Sequence, residues 1–172
     1  VPDEFHCRSS ALRRRYVYIL KESSVRPGLE TGRIGWSHRP LDYSRLREAA
    51  DLFIGEHDFS AFRAAQCQAL SPIKTMFRLD VTQYPRTHCS YWRFDFEATA
   101  FLHHMIRNIM GSLLMVGDGR RNCHWLSEVI EKKNRHLAAP TFPSDGLYFM
   151  GPVYDARWAI PQEGNGLDWL GI

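Results

Sequence analysis

The chain has 172 residues, 44% of them hydrophobic and 24% charged, with a net charge of +3. That is the balance of an ordinary globular chain, and it excludes disordered and collagenous classes. No apolar run of about 18 residues is free of charge (the nearest, 98–117, carries Arg107), and no basic stretch leads into an apolar one at the start, so neither a spanning helix nor a secretion signal is expected. At this length about 70% of the unfolded chain's surface can be buried, and one domain over residues 1–172 is expected.

Residues 13–21 read as a strand, because Tyr16, Val17, Tyr18, Ile19 and Leu20 are β-branched, aromatic or aliphatic. Residues 22–40 are rich in Ser, Gly and Pro and read as a long loop. Asp42 is placed as an N-cap, followed at helical spacing by Leu46, Ala49, Ala50 and Phe53, with Gly55 as the stop. Residues 55–71 have no clean period and read as a structured loop. Phe77, Leu79 and Val81 then alternate with Arg78, Asp80 and Thr82. Trp92, Phe94 and Phe96 alternate with Arg93, Asp95 and Glu97. These are two half-buried strands, paired antiparallel through residues 83–90.

A helix follows, with Leu102, Met105, Ile106, Ile109, Met110, Leu113 and Val116 in one apolar stripe and Gly117 at its end. A second helix over 124–133 buries Trp125, Leu126, Val129 and Ile130. Residues 147–154 form a last strand, and Pro152 puts it at an edge. The order β-α-β-β-α-(α)-β predicts an α+β, ferredoxin-like antiparallel sheet with helices on one face and the other face free, the face that RNA-recognition modules use.

Charge is uneven along the chain. Residues 1–39 hold eight basic side chains against four acidic ones, and the rest hold fourteen against fifteen. A basic segment of this kind is either a footprint for a polyanion or a solvated face. The four cysteines (Cys7, Cys67, Cys89, Cys123) are far apart and lack zinc-ligand spacing, and read as reduced thiols of a cytoplasmic protein.

Arg107 is the one formal charge between residues 98 and 117. It shares a helix row with His103 and Leu114, so it is expected to be covered. A covered arginine needs a partner, because an unpaired buried charge costs several kcal/mol. That partner is either an acidic residue of this chain or something functional. His103 and His104 are adjacent, point about 100° apart on a helix, and cannot chelate one metal from one face. Tyr16 and Tyr18 share a strand face, for packing or for stacking on an unstacked base; Arg13, Arg14 and Arg15 just upstream favour stacking. His57, Asp58 and Ser60 form no recognisable triad, which disfavours a hydrolase.

Taken in order, several segments resemble the tRNA pseudouridine synthase A family. They are Val1-Pro2-Asp3-Glu4-Phe5-His6, Arg14-Arg15-Tyr16-Val17-Tyr18, Gly55-Glu56-His57-Asp58-Phe59-Ser60-Ala61-Phe62-Arg63, Phe101-Leu102-His103-His104-Met105-Ile106-Arg107-Asn108 and Asp145-Gly146-Leu147-Tyr148. The resemblance runs from residue 1 to about 155. It implies a homodimeric, cytoplasmic enzyme that isomerises uridine to pseudouridine in the anticodon arm of tRNA, without metal or cofactor. It also implies that Arg107 pairs with a catalytic aspartate, that Tyr16 stacks on the target base, that Leu147 lines the uracil pocket, and that Arg63 and His103 help to bind substrate.

One departure outweighs the others. The family's nucleophilic aspartate stands in an Arg-Thr-Asp-x-Gly-Val-His segment, and no such segment occurs among residues 1–172. With Val1 in place of an initiating Met, the chain resembles the C-terminal half of the enzyme, inactive alone because the half with the nucleophile is absent. Residues 140–143 (Pro-Thr-Phe-Pro) also replace a Thr- and Ala-rich run. The alternative is a non-catalytic RNA-binding module with a ferredoxin-like sheet. The aromatic-rich strand motif of such modules is missing.

Overall fold

The structure is a computed structural model and describes residues 2–161; Val1 of the opening motif lies outside them. Its elements are β1 (Ala11–Glu22), β2 (Gly35–Ser37), α1 (Tyr43–Asp51), β3 (Gly55–Asp58), β4 (Ile73–Pro85), β5 (Ser90–Ala98), α2 (Met105–Gly117), α3 (Cys123–Lys132) and β6 (Leu147–Tyr154). Short 3₁₀ turns occupy Phe59–Phe62, Arg135–Leu137 and Ala156–Trp158.

The sheet runs β2-β1-β5-β4-β3, and β6 also pairs with β1. β6 takes the first part of β1, from Ala11 to Tyr18, and β2 takes its end, from Leu20 to Glu22, so the two share one edge. Without the short β2 and β3, the order is β6-β1-β5-β4, all antiparallel, with α1 and α2 as crossovers. This is the expected ferredoxin-like arrangement.

Period two sorts β1 into two faces. Tyr18 and Leu20 join the main core with Trp92, Phe94 and Phe96 of β5, Leu46 and Ala49 of α1, and Met105, Ile109 and Leu113 of α2. Each large side chain buried here contributes about 2–3 kcal/mol. Asp42 caps α1 through the Arg45 N–H at 2.8 Å. α1 meets α2 closely because Gly117 has no side chain: a Cβ there would lie 2.7 Å from Leu46.

Several expectations need correction. The loop after β1 contains β2. α1 ends at Asp51, with Leu52 as its C-cap, and Gly55, at φ +102°, opens β3 instead of stopping the helix. Residues 55–71 hold β3 and a 3₁₀ turn that buries Phe59 and Phe62. Phe77 is exposed, because a bulge between Met76 and Arg78 shifts the alternation and Met76 goes inward in its place. The Arg13 guanidinium lies over the Phe77 ring, 4.2 Å from its centroid. α2 begins at Met105, so His103 and His104 precede it and do not share a helix row with Arg107.

The face opposite the helices is not free. Val17, Ile19 and Ile34 form a small second core there with Tyr91, Tyr148 and Met150. Glu30, from the loop over it, accepts from Lys21 and Tyr91. Arg93–Asp95, Arg78–Asp80 and Arg13–Glu97 pair on the same side.

Candidate functional site

On the helix side, a cleft of about 390 Å³ lies between β1, β6 and the start of α2. It is lined by Tyr16, 101–107, Ser144 and Leu147. Tyr16 reaches it because it sits two residues before the buried Tyr18 on the same face of β1. Its ring meets Phe101 edge-on, with centroids 5.1 Å apart, and tilts against Phe149 at 5.0 Å. Burial pushes its phenol pKa up, against the opposing pull of Arg14.

Leu147 enters at the first residue of β6, and Gly146 sets its position. At φ +95° the Gly146 carbonyl accepts from Ile19 N–H at 2.8 Å, and a Cβ there would stand 2.2 Å from the Ile19 carbonyl oxygen. Only glycine fits both the dihedral and the space.

Arg107 is clasped by Phe142 in both directions. Its Nε donates to the Phe142 carbonyl at 2.7 Å, and its own carbonyl accepts from Phe142 N–H at 3.1 Å. Its guanidinium forms no ion pair among the described residues, and its two terminal nitrogens make no hydrogen bond there. The expectation of an acidic partner within this chain is therefore not met among those residues. Behind it, buried Asn108 donates to the Phe62 carbonyl at 2.8 Å and accepts from Arg135 and Thr141. Arg135 also donates to the Ala139 carbonyl at 2.8 Å, and the Tyr18 hydroxyl donates to that of Pro143 at 2.9 Å. These bonds fix the 139–143 strap along α2 and so place the carbonyl that holds Arg107.

His103 and His104 stand at the mouth, with ring centroids 3.9 Å apart. His104 is held in the left-handed region at φ 61°. Burial lowers its pKa below the ordinary 6.5, and the positive charges of His103 and Arg107 add to this. Arg63 does not line the cleft. Its Nη2 donates to the carbonyls of Cys67 (2.6 Å) and Ala69 (2.8 Å). That loop in turn receives the His103 N–H on the Cys67 sulfur at 3.3 Å. Burial raises the Cys67 thiol pKa, but the Ala69 and His103 N–H groups and Arg63 outweigh it and bring the pKa down.

The structure thus brings Tyr16, Leu147, Arg107 and His103 to one cleft and leaves Arg63 supporting it from outside. Sequence reasoning missed Asn108, Arg135, Thr141 and the Phe142 carbonyl. Asn108 had a signal, a polar side chain within an apolar helix; a backbone carbonyl has none. Chemically, the cleft offers a ring and a leucine that can sandwich a planar group, and a guanidinium whose free edge suits a carboxylate or phosphate. No carboxylate lines it. Among the described residues, no three of His, Cys, Asp and Glu are grouped to hold a metal ion, and no helix is long and apolar enough to cross a membrane.

Residues 49–155 match the family model described as tRNA pseudouridine synthase. Among curated relatives, the chain is 58% identical over 170 residues to tRNA pseudouridine synthase A of Polaromonas naphthalenivorans, covering 99% of this chain and 64% of the relative. It is 55% identical over 163 residues to that of Variovorax paradoxus (95% and 60%). To that of Polaromonas sp. it is 54% identical over 170 residues (99% and 64%). The chain therefore spans 60% to 64% of the length of these relatives.

Proposed function

From the premise that this chain belongs to the tRNA pseudouridine synthase family, we propose that the whole protein isomerises uridine to pseudouridine in the anticodon arm of tRNA. This chain supplies one wall of the active site. The observation that carries the reading is the convergence of Tyr16, Leu147 and the half-free guanidinium of Arg107 on one cleft.

The reaction breaks the bond from the ribose C1′ to uracil N1, turns the ring, and joins C1′ to C5. The C5 proton leaves and N1 gains one, so atoms balance without a cofactor. In this reading the target base leaves its stack and lies on Tyr16, which offsets the few kcal/mol of extrusion. Leu147 closes the other side of the ring. The terminal nitrogens of Arg107 hold the nucleophilic carboxylate ionised and oriented. His103 meets RNA at the mouth, and Arg63 fixes the loop beneath it. The carboxylate comes from the Arg-Thr-Asp segment, which lies outside residues 1–172. The enzyme works in the cytoplasm as a homodimer, with tRNA as its partner and with no metal.

The test is an assay for pseudouridine in unmodified tRNA. Residues 1–172 alone are expected to form none, and a protein that also carries the Arg-Thr-Asp segment is expected to be active. Turnover by residues 1–172 alone would overturn the division of the site. In the active protein, Arg107→Lys should lose most of its kcat, since lysine keeps the charge but not the planar fork. Near-normal turnover would count against the pairing role.

A further inference from the structure

The C-terminal end of α2 carries a second feature that the cleft does not use. A hollow of about 640 Å³ lies where α1, α2 and α3 meet, and Arg45, Glu48, Arg120, Arg121, His124 and Trp125 contribute to its lining. Asp118 lies beneath, its side chain only 2% exposed, and pairs with Arg120 at 2.6 Å and Arg39 at 4.0 Å. Burial first, and then the nearby Glu48 carboxylate, push the Cys123 thiol pKa up. Arg45 has no ion pair or hydrogen bond on its guanidinium among the described residues. It occupies space left by Gly119, where a Cβ would stand 2.6 Å from its Nη1. Arg121 has no acidic partner among them either, and its guanidinium lies 5.7 Å from the Trp125 ring centroid.

The basic N-terminal segment is partly paired. Arg13 is paired with Glu97 and Lys21 with Glu30, and Arg14 is taken up by the carbonyls of Arg8 and Thr99. Part of the charge excess seen there in the sequence is thus compensated in the fold, while Arg8, Arg15, Arg26 and Arg33 have no ion pair among the described residues. At the hollow, Arg45 and Arg121 also lack an ion pair among the described residues, and they line one open concavity together.

We propose that this hollow is a second tRNA contact, in which Arg45 and Arg121 bind phosphates of the RNA backbone away from the target base. The inference rests on the tRNA reading given above. From Arg107 to Gly119, α2 and its end advance about 18 Å at 1.5 Å per residue. The hollow is therefore set several nucleotides' length away from the cleft. At that distance it would meet phosphates outside the extruded nucleotide. Phosphates fit because the hollow is open and carries an excess of fork-shaped donors. The Asp118 carboxylate is buried beneath it, turned toward Arg39 and Arg120.

Binding of an unmodified tRNA transcript by residues 1–172, at several salt concentrations, tests this. Each lost phosphate contact lowers the salt slope by about one. Arg45→Gln with Arg121→Gln should therefore lower it by about two and weaken binding roughly tenfold at moderate salt. Arg45→Lys with Arg121→Lys should restore most of both. An unchanged constant and slope in the Gln pair would overturn the inference and leave the tRNA reading standing. No binding by the unaltered chain would also overturn the inference, while the tRNA reading is judged separately by the pseudouridine assay of the active protein. A measurement without substitutions is modification of arginines by phenylglyoxal with peptide mapping: tRNA should protect Arg45 and Arg121, and absence of protection would also overturn the inference.

Discussion

The two ends of α2 use the same side chain in opposite ways. At the N-terminal end, one guanidinium lies between aromatic and aliphatic walls, its Nε fixed by the Phe142 carbonyl and its other nitrogens left open. At the C-terminal end, several guanidinium groups stand in water around a buried carboxylate. A single charge beside apolar walls acts through a low effective dielectric, so its orientation matters more than its number. Exposed charges are individually weak and screened by salt, so number and spacing matter more than orientation. The first end therefore depends on a rigid strap and the second only on a short loop.

The largest effect should come from breaking that strap where it enters β6. Gly146→Ala would put a Cβ against the Ile19 carbonyl at a dihedral that alanine resists. We expect a loss of more than about 4 kcal/mol, enough to prevent stable folding. Denaturant unfolding of the purified chain measures it, and a loss below about 1 kcal/mol would mean that the β1–β6 junction yields easily. Next is Asn108→Ala, which leaves the Phe62 carbonyl and Arg135 without their buried partner. It should cost about 2–4 kcal/mol. In the active protein, kcat should fall further than this stability loss accounts for, because the Phe142 carbonyl would drift from Arg107. Tyr16 packs on Phe101 and Phe149, away from the strap, so KM should move little.

At the other end, Asp118→Asn should separate stability from binding. It removes one negative charge beneath Arg39 and Arg120. The exposed arginines limit the loss to about 1 kcal/mol. The hollow then carries one more uncompensated charge, so tRNA should bind more tightly at low salt with a steeper salt slope. Weaker binding in a folded variant would mean that the pairing of Asp118 organises the arginines for RNA, so that releasing them harms recognition.

The cleft end was legible in the sequence to the extent that it depends on period and type. Tyr16 and Tyr18 had to share a face, and Arg107 stood out as a lone charge in an apolar stripe. What stayed hidden has physical causes. The Phe77 bulge breaks the alternation with an insertion that no local propensity announces, and period-two reading put that ring inside. β3 is only four residues long and owes its extended form to pairing with β4, not to its own composition. The other face looked free because the covering loop, with Glu30 and Ile34, is apolar at only a few positions. The basic hollow was invisible because Arg45 and Arg121 lie far apart in the chain and meet only when α1 and α2 pack.

The smallest effect tests whether the Arg107 charge is felt inside the cleft. His104 has its pKa lowered from 6.5 first by burial, then by His103 and Arg107. Its folded form binds a proton less readily than the unfolded chain does. As pH falls below about 6.5 the unfolded chain takes up the proton first, so this group costs stability, and the cost levels off below the folded pKa. Above 6.5 it contributes nothing. Replacing Arg107 with Gln removes the third cause only, so the His104 titration followed by NMR should move slightly upward and still lie below 6.5. The acid-side loss of stability should shrink in step. An unmoved titration would mean that water screens the guanidinium from the imidazole. The free edge of Arg107 would then face solvent, and its hold on a carboxylate would have to form wholly on closure with the other wall of the site.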